Sequence, residues 1–158
     1  MSEQLAKLEA RIKVLEDIES IKALKSKYFR CLDKELWDEL SECFCEDALL
    51  DFGSTKQFKG RKAIVDDFRT RYTARGKWCT GIHHGHNAEL EITGENTAKG
   101  AWQLFHYFIN SQTNQGARLA GFYDDEYAME NGKWKIKVTK FARMFKEEFA
   151  RDGLSLVQ

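Results

Sequence analysis

At 158 residues, with 42% hydrophobic and 13% aromatic side chains, the chain has the composition of one globular domain with a real core, not of a disordered segment. The 25 basic and 25 acidic residues cancel to a formal net charge of zero, and no basic stripe stands out, which argues against a nucleic-acid partner. No apolar run approaches the roughly 18 residues of a membrane span, and the opening MSEQLAKLEA is charged at once and lacks the apolar stretch of a signal peptide, so a cytoplasmic protein is expected.

From Leu5 to Asp33 there is neither Gly nor Pro, and Leu5, Leu8, Ile12, Leu15, Ile18, Ile21, Leu24, Tyr28 and Cys31 recur at steps of three and four. That spacing defines one face of a helix. The repeated threes from Ile18 to Leu24 make the face drift and predict a bend or break near Asp17 to Ser20. Residues 1–16 read as a helical extension of a single domain spanning 1–158, coiled-coil-like but too short to pair alone. A short helix is expected at LWDEL, then a strand, ALLDF, ended by Gly53. In GRKAIVDDFRTRYTARG, Ile64, Val65, Phe68 and Tyr72 share one helical face with a glycine at each end. Cys31, Cys43, Cys45 and Cys79 show no pair of pairs at zinc-finger spacing, so reduced thiols are expected and a structural zinc site is not.

The texture then changes. HNAELEIT, TAKGAWQLFHYFIN, ARLAGFYDDEYAME and KWKIKVTKFARMF are aromatic and β-branched runs, separated by turn signals at Gly94, Asn114 and Asn131. They predict a meander of long antiparallel strands. Helices first and strands later make the class α+β. In WQLFHYFI both alternating sets are apolar: Trp102, Leu104, His106 and Phe108 on one side, Phe105, Tyr107 and Ile109 on the other. Such a strand needs a cover on each face. Helices supply one, and a second subunit is the simplest source of the other.

Three of the four histidines, His83, His84 and His86, fall inside IHHGHN, and the fourth is His106. His84 and His86 would share one face of a strand, with Glu89 or Glu91 as a further ligand, but the surrounding glycines do not fit a barrel metal motif, so no metal is expected. Histidine also gives and takes protons near neutral pH, best when a carboxylate fixes its tautomer. KYFRCLDKELWDEL offers Asp33 for that purpose and Tyr28 as a hydrogen-bond donor to a developing oxyanion. The plainer reading has Asp33 capping the following helix and Tyr28 in the core.

IESIKALKSKYFRCLD followed by LWDEL resembles the opening of the bile-acid 7α-dehydratases, and IHHGHNAEL, ENTAKGAW and FYDDEYAMENGKWKI continue the likeness in order over nearly the whole chain. More broadly the chain resembles the SnoaL-like branch of the NTF2-like superfamily, which includes scytalone dehydratase and hexachlorocyclohexane dehydrochlorinase. The resemblance implies an NTF2-like cone: amino-terminal helices packed on a curved antiparallel sheet enclosing an apolar cavity. It implies a homotrimer through the sheet face and elimination of water or HCl with no metal or organic cofactor. By position it implies Tyr28, Asp33 and His83 as active-site residues. His106 stands where the bile-acid enzymes are expected to carry aspartate and matches the second histidine of the scytalone dehydratases.

The expected reaction is therefore dehydration of a β-hydroxy carbonyl compound, of steroid or polyketide type. His83 would remove the proton α to the carbonyl, Tyr28 with Tyr123 would bind the enolate oxygen, and His106 would protonate the departing hydroxide. Which histidine Asp33 holds is left open. Trp37, Phe52, Phe68, Trp102, Leu104, Phe141 and Met144 are the candidate apolar lining around a small apolar carbonyl substrate. The alternatives are a ketosteroid-isomerase-like isomerase and a non-catalytic binding module. Strict strand alternation with Leu90 and Ile92 inward turns His83 outward, so a bulge, expected at Gly85, is needed to aim it at the cavity.

Overall fold

A computed structural model describes residues 2–53 and 57–152 of the chain. Three helices, α1 (Ser2–Asp33), α2 (Trp37–Glu42) and α3 (Arg61–Arg75), precede or interrupt six strands. These are β1 (Phe44–Asp51), β2 (Gln57–Lys59), β3 (Cys79–Gly94), β4 (Thr97–Asn110), β5 (Gln115–Glu130) and β6 (Lys133–Ala150). They form one open sheet in the order β2-β1-β6-β5-β4-β3. The class is α+β, as the order of helical and strand patterns predicts.

The four carboxy-terminal strands form the expected antiparallel meander, closed at Asn131–Gly132 by two residues that both take positive φ, which suits the twist of a tight hairpin. The sheet is nevertheless mixed. β1 lies parallel to β6, with Leu49 beside Val138, and the short β2 folds back antiparallel on β1. The expectation of a purely antiparallel sheet is corrected here: β1 enters beside β6 from the helical end, and the direction of such a late pairing leaves no mark in its own residues.

α1 runs unbroken, so the predicted break is also corrected. Without Gly or Pro nothing forces a kink. Every described residue before Asp17 is exposed, Leu15 at 63%, and burial begins at Asp17, whose carboxylate accepts from the Trp134 indole N–H at 2.8 Å. The drift of the apolar stripe marks where the helix reaches the body. From there Ile21, Leu24, Tyr28, Phe29 and Leu32 pack into the concave face of the sheet with Ile64, Val65 and Phe68 of α3. Each such side chain contributes about 1.5–3 kcal/mol by burial. α3 is bounded by Gly60 and Gly76, both at positive φ. The inner set of β4, Trp102, Leu104 and His106, is buried against the helices. On the outer face Phe105 and, on the neighbouring strand, Phe122 remain exposed at 36% and 41%. The four cysteines are free thiols. Among the described residues no helix is long and apolar enough to cross a membrane.

Candidate active site

Asp33 is the last residue of α1, and its side chain does not cap α2, whose first turn has no side-chain cap. It reaches β3 instead. One carboxylate oxygen lies 2.5 Å from His83 Nδ1, and both oxygens accept from the His83 backbone N–H at 3.2 Å. Asp33 thus serves His83, not His106. A carboxylate at that distance holds a proton on Nδ1 and leaves the Nε2 lone pair free to act as a base.

His83 points inward because β3 changes face, but not at Gly85. Inward and outward residues alternate strictly from Cys79 to His86, and the register slips between His86 and Glu89, where Asn87 adopts φ 53°. Asn is among the few side chains that tolerate this conformation. The extra residue turns His83 inward while Leu90 and Ile92 stay inward as well. Gly85 has another task. A Cβ there would lie 2.0 Å from the Phe29 ring, so its absence lets Phe29, one helical turn before Asp33, lie nearly parallel to the His83 ring with centroids 5.9 Å apart. His84 and His86 face solvent, and among the described residues no group of three potential ligands is disposed to hold a metal ion.

His106 pairs with His83 across β3 and β4, and the two imidazoles stack at 3.8 Å. Burial first, and the neighbouring His83 next, push the His106 pKa down to about 3, so it is neutral at pH 7. A neutral ring carries one N–H and can donate a hydrogen bond. Gly81 makes room for it, since a Cβ there would sit 2.8 Å from His106 Nε2.

Tyr28 and Tyr123 stand edge to face with centroids 6.4 Å apart, both fully enclosed, and burial pushes both phenols well above their ordinary range. They therefore stay protonated and able to donate. Beneath them lies a group the sequence reading missed. The Lys25 ammonium is wholly buried, 2.6 Å from Asp125 and 3.7 Å from the centre of the Tyr123 ring. Asp125 also accepts from the hydroxyls of Tyr127 and Thr139, each at 2.7 Å, and Tyr127 in turn accepts from the Trp102 indole at 2.8 Å.

A cavity of about 110 Å³ brings together Tyr28, His83, His106 and Tyr123 with Phe52, Phe68, Leu104 and Phe141. Three of the expected lining residues are elsewhere. Trp102 belongs to the buried Tyr127–Asp125 network, Trp37 packs edge-on against Tyr72, and Met144 is 68% exposed at the slip in register between β5 and β6. At Met144 the extra residue defeats a reading by simple alternation. The cavity also takes in Arg71, Tyr72 and Arg75 of α3, which were not singled out because charged residues on an amphipathic helix read as its solvent side. A second cavity of about 90 Å³, lined by Asp33, Tyr72, Arg75 and His106 among others, adjoins it.

The SnoaL-like domain model matches residues 13–140. The fold superimposes on a hexachlorocyclohexane dehydrochlorinase (LinA type 3) from Novosphingobium barchaimii LL02, with TM-score 0.81 and 22% identity over 94% of this chain and 99% of that one. A protein described as a candidate scytalone dehydratase from Novosphingobium aromaticivorans superimposes with TM-score 0.77 and 19% identity, over 90% of this chain and 97% of that one. An NTF2-like protein with a cystatin-like fold, from the same species, gives TM-score 0.77 and 22% identity over 98% and 95%. At these identities the likeness establishes the fold. The chain belongs to the SnoaL-like family.

Proposed function

We propose that this SnoaL-like protein is a lyase that eliminates water from a β-hydroxy carbonyl substrate, using its own side chains and no cofactor. The observation that carries this reading is the Asp33–His83 pair at 2.5 Å, with His83 in the wall of an aromatic-lined cavity. His83 Nε2 takes the proton α to the carbonyl, and Asp33 stabilises the imidazolium that forms. The C–H electron pair moves into the enolate, whose oxygen is held by the protonated phenols of Tyr28 and Tyr123. Collapse of the enolate forms the C=C bond and expels the β-hydroxyl. That oxygen leaves with the proton His83 has just taken, as water, and the neutral imidazole is restored. His106, neutral at pH 7, donates a hydrogen bond to the leaving oxygen. The aromatic walls keep bulk water away and strengthen each of these interactions.

The direct test follows a β-hydroxy cyclohexanone by NMR in D₂O, scoring conjugated enone formation and deuterium entry at the α-carbon. His83→Ala and Asp33→Asn should each lower kcat by about 10²–10⁴ while circular dichroism stays unchanged. Turnover undiminished in either variant sinks the mechanism. Migration of the double bond of a β,γ-unsaturated cyclohexenone, with the β-hydroxy ketone left unchanged, would instead make the protein an isomerase, which the same residues can serve. We further propose a homotrimer, assembled through the outer sheet face that carries the exposed Phe105 and Phe122.

A further inference from the structure

Arg75 has no role in the elimination chemistry, yet it stands at the junction of the two cavities. Its neighbour on the same helix, Arg71, is neutralised by an ion pair with Asp67 and lies over the Phe52 ring. Arg75 is different. Its guanidinium covers the Tyr72 ring at 4.6 Å, and among the described residues it forms no salt bridge with any carboxylate. The positive charge of Arg75 is felt at His106 and at the Tyr72 hydroxyl, so it bears on the interior as well as on solvent. A guanidinium presents a rigid fork of donors that matches a carboxylate in bidentate fashion.

Size adds a second constraint. The inner cavity holds about 110 Å³ and the outer about 90 Å³, with Tyr72, Arg75 and His106 in the walls of both. An apolar cavity of about 150 Å³ accepts benzene, whereas drug-sized ligands occupy about 300–1,000 Å³. The inner cavity alone is smaller than either, so one ring with its substituent is accommodated only across the two cavities that share Tyr72, Arg75 and His106. A four-ring skeleton does not fit.

We infer that the substrate is a single-ring ketone bearing a carboxylate, with the ring against His83 and the carboxylate in the outer cavity on Arg75. This deepens the lyase reading and uses the same site, but its test is binding and does not depend on turnover. The probe is benzoate, a flat ring acid, titrated into the wild-type protein while the ring-proton NMR signals of the histidines are followed. Benzoate should shift the signals of His83 and His106, and benzamide, its uncharged isostere, should bind at least tenfold more weakly. Arg75→Gln should weaken benzoate at least tenfold and leave benzamide unchanged, with Arg75→Lys between. Among the described residues Arg75 makes no ion pair and lies over the Tyr72 ring at the end of α3, so the melting temperature of Arg75→Gln should stay close to wild type, which separates lost binding from lost structure. Equal affinity for benzoate and benzamide, or undiminished benzoate binding by Arg75→Gln, overturns the inference. So does displacement of benzoate by cholate, a four-ring acid. Benzoate binding to Arg75 in a protein that dehydrates nothing would refute the lyase reading alone.

Discussion

One identifiable share of this protein's destabilisation by acid should come from His106. In the folded state burial and the neighbouring His83 hold its pKa near 3, while in the unfolded chain an imidazole titrates near 6.5. Between those values the unfolded chain binds the proton and the folded one does not, so stability rises with pH across that window and is lost as pH falls. Integrated from pH 7 to pH 5, the loss is about 2 kcal/mol. Against a total of about 5–15 kcal/mol for a domain of this kind, that is a measurable share. The titratable or charged groups that act on His106 at short range are His83, Arg75 and His84, and Asp33 stands with it in the wall of the outer cavity.

The assay is urea unfolding followed by tryptophan fluorescence at pH 7 and pH 5, on wild type and on His106→Phe. Phenylalanine keeps a flat ring against His83 and cannot titrate. Ionisable groups that do not touch His106 contribute alike to the pH dependence of both proteins and cancel in the comparison. The wild type should lose about 2 kcal/mol more than the variant over this interval. If the two lose the same amount, His106 is protonated as readily in the fold as in the unfolded chain, and its assignment as a neutral hydrogen-bond donor fails.

Three further perturbations probe the scaffold. Gly85→Ala places a methyl group where the Phe29 ring lies 2.0 Å away, so it should cost about 1–3 kcal/mol of overpacking and lower the melting temperature; an unchanged melting curve would mean that Phe29 does not rest on the strand. Lys25→Met strands the Asp125 carboxylate in the core and should cost about 3–5 kcal/mol in denaturant, part of it recovered by adding Asp125→Asn; a single variant as stable as wild type would show that the pair is not buried in solution. Phe122→Glu puts a charge on the exposed outer face and should convert the proposed trimer to monomer in light scattering; a wild type that is already monomeric refutes the assembly.

The meander was legible because its signals are local. Asn131–Gly132 sets a hairpin and two flanking runs set its arms, and both lie within a few residues of one another. The parallel pairing of β1 with β6 joins Leu49 to Val138, and nothing within β1 distinguishes a parallel from an antiparallel neighbour. The inward turn of His83 was legible only as a necessity. Parity demanded a bulge somewhere between His83 and Leu90, and glycine drew attention to position 85. The slip lies instead around Asn87, the other residue in that stretch with access to positive φ. Gly85 is required for the approach of a ring from another element, and a strand pattern cannot express that.

The least legible part of the site was the charge beneath it, and here the sequence holds a signal that was passed over. Lys25 lies four residues after Ile21 and three before Tyr28, on the buried face of α1. Lysine is almost never fully buried without a partner, so a lysine at a core-facing position asks for a carboxylate elsewhere that is equally misplaced. β5 offers one: Asp125 alternates with Tyr123 and Tyr127 on the buried side of that strand. Each charge, taken alone, reads as an error in the pattern. Taken together, one on a helix and one on a strand 100 residues away, each is the only account of the other. Two residues that break the binary pattern with opposite charges are therefore a long-range contact prediction, and in this fold the contact sits directly under the two phenols that hold the enolate in the proposed mechanism.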